Sequence, residues 1–246
     1  MSIEIEIKNN KSEREVRMYP TERDKRAVLF LVEQGFATIE QLWKAGWGDQ
    51  RTASYATERL ALMERVGFLK SFRLENSPLK IYRSSPMGRY LVSEISQYPI
   101  PMSDHSQRIA IHQLELNQVR LALESKGVTS WRSAESLIID PSFKKLGGRH
   151  VPDGFYISSN GTKTAVEHDR TLRKKEMIRE RLSDYLSELM SPDRSFDRLV
   201  YLVAPNLEHI YRPIFDQNFS AIKSRTILMT LPKFLEALSG NKNHEH

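Results

Sequence analysis

The 246-residue chain contains no cysteine, which removes disulfides, thiolate zinc sites and a cysteine nucleophile together. It also lacks any apolar run near the ~18–20 residues a membrane-spanning helix needs, so no membrane insertion is expected. Low-complexity tracts are missing as well, and 39% of the residues are hydrophobic, which argues for a packed core and against a disordered chain. The opening "MSIEIEIKNNKSEREVRM" is charged and alternating, without the apolar region of a secretion signal. A cytoplasmic location is the expectation. Positive charge, by contrast, is in excess. A formal net charge of +6 favours an anionic partner, with nucleic acid the first candidate.

From Thr21 the pattern predicts a helix with Val28, Leu29, Leu31 and Val32 inward, ending near Gly35. Thr38 caps a second, shorter helix, and Asp49 opens a third with Ala53, Ala56, Leu60, Met63 and Val66 in one stripe. "FLKSFRLE" and "KIYRSS" read as strands around the turn "NSP", and Pro86 begins a further helix. Three helices followed by a β-hairpin is the order of a winged helix-turn-helix, whose third helix presents its polar face to the major groove. That face offers Gln50, Arg51, Thr52, Ser54, Tyr55, Glu58 and Arg59. The wing adds Lys70, Arg73, Lys80 and Arg83 for phosphate contacts. The expected DNA-binding set is Arg51, Thr52, Tyr55, Arg59, Lys70, Arg73, Lys80 and Arg83. The alternative is a winged helix used only for protein contact.

"SQYPIPMSD", with two prolines, marks a boundary between a domain over 1–98 and a second over 104–240. The second reads as αβββαβ. Its elements are a helix from Ser106 to Gly127, a strand around "VTSWRSAE" and a loose loop "DPSFKKLGGR", then two strands in "VPDGFYISSNGTKTAVEHDR". A helix from Leu172 to Met190 and the buried strand "RLVYLVAP" complete it. "LEHIYRPIFDQNF" is helical with Pro213 expected to bend it, "RTILMTL" and "PKFLEALS" give a last strand and helix, and "GNKNHEH" is a tail.

The hairpin gathers three acids, Asp153, Glu167 and Asp169. A two-residue Asn160-Gly161 loop pairs Asp153 with His168 and turns Glu167 away. A three-residue loop, Ser159-Asn160-Gly161, pairs Asp153 with Glu167 and sets Asp169 further along the same side. Both turns suit the sequence, since Gly161 fits the left-handed position of the longer one. Two unit charges ~4 Å apart repel by about 4 kcal/mol at an effective dielectric of ~20, and a divalent cation relieves that repulsion. An all-oxygen cluster without cysteine suits Mg2+ or Mn2+. Bound metal lowers the pKa of water and stabilises charge on a phosphoryl oxygen, as phosphodiester cleavage requires. Asp169 either joins the metal or forms an ion pair with Arg170 or Lys174. Glu115 lies on the first helix of the second domain as a possible further acid, His112 reads as a core histidine, and His150 and His168 flank the acids. Tyr156, Tyr185 and Tyr201 are near in topology, the last two with core explanations and Tyr156 facing away from Asp153 by strand parity.

The order helix–strand–"PD"–hairpin–acid–helix–strand resembles the PD-(D/E)XK, restriction-endonuclease-like fold. "VPDGFY" with Asp153 and "AVEHDR" with Glu167 match its metal-binding positions. The lysine two residues after the acid is absent, Asp169 standing there. The resemblance implies a relocated cation from Arg170, Arg173, Lys174 and Lys175, with Lys174 favoured beside Asp153 and Glu167 as the catalytic set. The whole layout, with "IHQLELNQV", "VPDGFY", "VEHDRT" and "RLSDY", resembles the replication-relaxation family and within it the MOBC class of plasmid relaxases. That resemblance implies a metal-dependent, strand-specific DNA-nicking endonuclease acting on double-stranded plasmid DNA at an origin of transfer, with an accessory mobilization protein and a coupling protein as partners. The alternative is a non-catalytic winged-helix DNA-binding regulator or replication protein with an inactive nuclease-like domain.

Overall fold

The computed structural model describes residues 18–48, 51–74, 77–97, 100 and 109–240. The fold is α+β and divides into two units, Met1–Asn117 and Gln118–His246. Asp49, Gln50, Asn76, Ser106, most of the "SQYPIPMSD" segment and the tail after Gly240 lie outside the described residues.

In the first unit, α1 (Glu22–Gln34) starts from a capping box in which Thr21 and Asp24 satisfy each other's backbone N–H groups. Thr38 and Gln41 repeat the device for α2 (Ile39–Gly46), after the short strand β1 (Ala37–Thr38). The third helix, α3 (Ala53–Arg65), is capped by Thr52, whose Oγ accepts the Tyr55 N–H. A helix beginning at Asp49 is therefore corrected: the capping hydroxyl that sets its start belongs to Thr52. Strands β2 (Leu69–Arg73) and β3 (Lys80–Ser84) form the hairpin, with β1 on the far side of β3. Ser85 caps α4 (Pro86–Val92). This unit is compatible with a winged helix. It also takes in the first half of α5 (Ala110–Glu124), where Ala110 and Leu114 pack with Phe36 and Ile81. Gln113 donates to Gln34 Oε1 at 2.8 Å and Asn117 to the Phe36 carbonyl at 2.7 Å, so the buried amides on this helix are matched within the unit.

The second unit is built on a five-stranded sheet in the order β4-β5-β6-β7-β8. Its strands are β4 (Arg132–Ser133), β5 (Gly154–Ile157), β6 (Lys163–Asp169), β7 (Arg198–Val203) and β8 (Thr226–Thr230). β4, β5 and β6 run antiparallel, whereas β6, β7 and β8 are parallel. Parallel pairing needs crossovers, supplied by α7 (Lys175–Met190) and α8 (Glu208–Asn218). α8 carries Pro213 and continues through it. α7 and α8 cover one face through Ile178, Leu182, Tyr185, Ile214 and Phe215, packed on Ala165, Leu199, Tyr201 and Val203. Val119, Leu123 and α9 (Leu231–Gly240) cover the other, against Val166, Val200 and Leu202. The stretch after β4 is not strand, as "VTSWRSAE" suggests, but a short helix, α6 (Ala134–Ile139).

One close approach fixes the sheet's first half. A Cβ on Gly154 would lie 2.3 Å from Cη2 of Trp131, which is itself buried. Gly154→Ala is expected to lower stability by about 1–3 kcal/mol through overpacking. Gly161→Asn, at a φ of 82° with open space around it, should stay near wild type because Asn tolerates the left-handed region. Urea midpoints of the two variants check the contrast.

Candidate functional site

The β5–β6 turn decides where the acids go. Ser158 N–H donates to the Thr162 carbonyl at 3.0 Å, and Gly161 N–H donates to the Ser158 carbonyl at 2.8 Å. That is the three-residue loop, and it sets Gly154 opposite Val166 and Phe155 opposite Ala165. Continued by one residue, the register brings Asp153 opposite Glu167. Asp153 lies just before β5, and its Oδ2 accepts the His168 backbone N–H at 2.8 Å.

Glu167 and Asp169 both project from β6 under α7 and α8, and both are buried. The Tyr185 hydroxyl donates to Glu167 Oε2 at 2.5 Å, and the Arg181 guanidinium forms an ion pair with Oε1. That pair is close but poorly aligned: Glu167 Oε1 and Arg181 Nε each lack a directional hydrogen bond. Burial, then the charges of Asp153 and Asp169, push the Glu167 carboxyl up to about 8 against the opposing pull of Arg181. Burial disfavours the charge on Arg181, yet Glu167, Tyr185, Asp153 and Tyr201 together outweigh it and raise the guanidinium pKa. Asp169 is fully matched. Arg173 Nε donates to Oδ1 at 2.6 Å, and the Tyr201 and Tyr211 hydroxyls donate to Oδ2 at 2.6 and 3.0 Å. Burial and the neighbouring carboxylates raise all three tyrosines, which keeps their hydroxyls protonated as donors. His150 lies beside the cluster, with Nδ1 3.8 Å from Asp184 Oδ2, and burial and Arg181 push its pKa down.

This arrangement overturns the expectation of a metal-dependent endonuclease. Among the described residues, no group of three or more histidines and carboxylates stands where it could hold a metal ion. The relaxase, hydrolase and metal-binding descriptions fall with it. Asp153, Glu167 and Asp169 are drawn to one end of the hairpin, but arginines and tyrosine hydroxyls occupy the oxygens of the two buried ones. Lys174 is exposed at the start of α7, whereas Arg173 pairs with Asp169 and Arg181 with Glu167. Arg173 lies four residues from Asp169, a helical-range spacing visible in the sequence. Arg181 left a fainter signal, as a charge among Ile178, Leu182 and Tyr185 on the inward face of α7.

The expected DNA-facing residues divide in two. Arg51, Thr52, Lys70 and Arg73 are exposed, and the Arg51 guanidinium lies 5.3 Å from the Tyr55 ring centroid. Lys80 and Arg83 are half-buried, and Lys80 Nζ donates to Glu64 Oε2 at 2.8 Å. Lys70 pairs across the hairpin with Arg83, and Arg73 with Lys80. Arg59 turns inward, where its Nε donates to Oδ1 of the fully buried Asp24 at 3.1 Å. Its hydrogen bond to Asp24 raises the guanidinium pKa despite partial burial.

Two consequences can be measured. Above about pH 8, where Glu167 is ionised, Arg181→Ala leaves a buried carboxylate without its cation and is expected to cost about 3–5 kcal/mol, with part regained when Glu167→Gln is added. The raised Glu167 pKa also has a sign. Its stabilising contribution is complete below the ordinary value of 4.5 and is lost as pH rises through about 8. Denaturant unfolding from acid to alkaline pH should show wild type losing stability relative to Glu167→Gln across that window. Parallel profiles would contradict it.

No curated protein sequence matches the chain. Among solved structures, Bacillus subtilis PadR in complex with operator DNA is similar over 87% of this chain and 98% of that one, at 13% identity and a TM-score of 0.25. A likeness that distant carries no argument. The description of the Replication-relaxation family matches residues 29–196. With well over half of its length inside that match, the chain belongs to the Replication-relaxation family.

Proposed function

We propose that this chain is a non-catalytic winged-helix DNA-binding protein, a regulator or replication protein, whose second unit has a nuclease-like sheet with its acids turned to structural use. The carrying observation is a contrast between two sets of charges. Glu167 and Asp169 are buried and matched by Arg181 and Arg173, whereas Arg51, just ahead of the third helix, and Lys70 and Arg73 of the hairpin are exposed to solvent. Exposed cations on those two elements suit phosphate contacts, and Arg51 with Tyr55 at the start of α3 suits base edges in the major groove. The order α5-β4-β5-β6-α7-β7, with Asp153 before β5 and Glu167 on β6, supports a PD-(D/E)XK-like core interrupted by α6. On this reading the DNA is that of a plasmid or similar element, with an origin of transfer as the site and accessory mobilization and coupling proteins as companions. The resemblance to the MOBC class is the support for these finer partners.

Binding of duplex DNA followed by fluorescence anisotropy over a salt series tests the reading. Arg51→Ala, Lys70→Ala and Arg73→Ala should each weaken binding, and each lost phosphate contact should flatten the log–log salt slope by about 0.9. Arg59→Ala should instead lower stability, by about 3 kcal/mol, because it strips the buried Asp24 of its cation. Supercoiled plasmid incubated with the protein and Mg2+ or Mn2+ should be bound and remain uncut. Open circles formed by wild type and lost in Asp153→Ala would overturn the non-catalytic reading.

A further inference from the structure

The opposite face of the five-stranded sheet carries a second polar constellation, far along the strands from Glu167 and Asp169. Tyr156 on β5 pairs with Thr164 on β6, and Thr164 pairs with Arg198 on β7. Leu199 pairs with Thr226, so Arg225, immediately before β8, continues the same row. These four residues, with Ser158 of the β5–β6 hairpin and Phe234 of α9, line a cavity of about 320 Å³. No carboxylate is among the described residues that line it.

Two guanidiniums at neighbouring places in one row repel each other unless an anion lies between them. Here the obvious counter-charge is engaged elsewhere. The Asp197 carboxylate accepts the Lys163 backbone N–H at 3.1 Å and Arg194 Nε at 3.0 Å. Arg225 uses Nε on the Asp197 backbone carbonyl at 3.0 Å, while its Nη2 is buried and meets no acceptor among the described residues. An orphaned buried donor is unfavourable in an empty cavity and useful in a filled one. Guanidinium forks match the paired oxygens of a phosphate; the Ser158 hydroxyl is spent within the hairpin on Asn160 and Thr162, so the two arginines carry the recognition. Tyr156 and Phe234 supply aromatic wall, against which a base could stack. A space of this size falls at the lower end of small-ligand sites.

The geometry points to a binding site for a phosphorylated ligand of mononucleotide size, held by Arg198 and Arg225 on the face of the sheet away from the acid cluster. The same chemistry arises from a free nucleotide or from a terminal nucleotide of a DNA strand. This site is independent of the winged helix and of the reading given above for it.

Calorimetric titration of the full chain tests the assignment with four probes: deoxyadenosine monophosphate, deoxyadenosine, inorganic phosphate and a short 5′-phosphorylated single strand. Saturable binding of the monophosphate or the strand, with deoxyadenosine much weaker, is expected. Arg198→Gln and Arg225→Gln should each weaken it by roughly tenfold or more, while Lys126→Gln, an exposed cation elsewhere, should leave it unchanged. Binding of the free monophosphate assigns a nucleotide ligand, and binding of the strand alone assigns a DNA end. Should Arg225→Gln fail to fold for want of its Asp197 contact, the exposed Arg198 still decides the matter. Absence of binding by every phosphate probe overturns the assignment. So does binding indifferent to Arg198→Gln, or binding of deoxyadenosine equal to its monophosphate.

Discussion

A carboxylate buried inside a sheet face needs a cation or a proton, and the second unit is organised around that need. Asp169 is the clearer case. Its two oxygens gather Arg173 ahead of α7, Tyr201 from β7 and Tyr211 from α8. One side chain thereby ties three elements to the end of β6. Glu167, two residues earlier, fastens α7 through Arg181 and Tyr185. Apolar packing could hold α7 against the sheet in several registers, because neighbouring leucines are nearly interchangeable. Buried acids with named partners accept only one, though their gain over apolar packing is specificity more than stability.

The first unit repeats the logic on a smaller scale. Asp24 belongs to the capping box of α1 and is fully buried, so its charge needs an answer that the helix end supplies only in part. Arg59 reaches it from α3. The helix that follows Arg51 is thus clamped from its inner side to the first helix. The clamp uses a residue whose position on α3 would otherwise suit DNA.

Much of this fold is legible in the sequence. Threonines ahead of apolar stripes mark the starts of α1 and α2, and the continuous apolar run of β7 marks a strand covered on both faces. The hairpin register is half legible: Asn160-Gly161 suits either loop, and the left-handed Gly161 in the longer one brings Asp153 opposite Glu167. α6 is hidden because "SAESLII" follows a strand of only two residues, so an alternation carried forward from Trp131 overruns the helix. The largest misreading concerns what answers the acids. Local patterning shows that carboxylates converge, but not which distant side chain arrives opposite them. Arg181 lies fourteen positions beyond Glu167 in the sequence, and only the packing of α7 brings the two together.

The charge balance explains why the acids fit a structural role. Asp169 is answered by Arg173 and Glu167 by Arg181, one guanidinium to each buried acid. His150 adds little positive charge beside them, since burial and Arg181 push its pKa down. Glu167 is the most deeply buried member, and burial with the charges of Asp153 and Asp169 pushes its carboxyl up to about 8 against the pull of Arg181. Asp169 both draws in Arg173 and adds to the upward push on Glu167, so the two buried acids at this end of β6 are coupled.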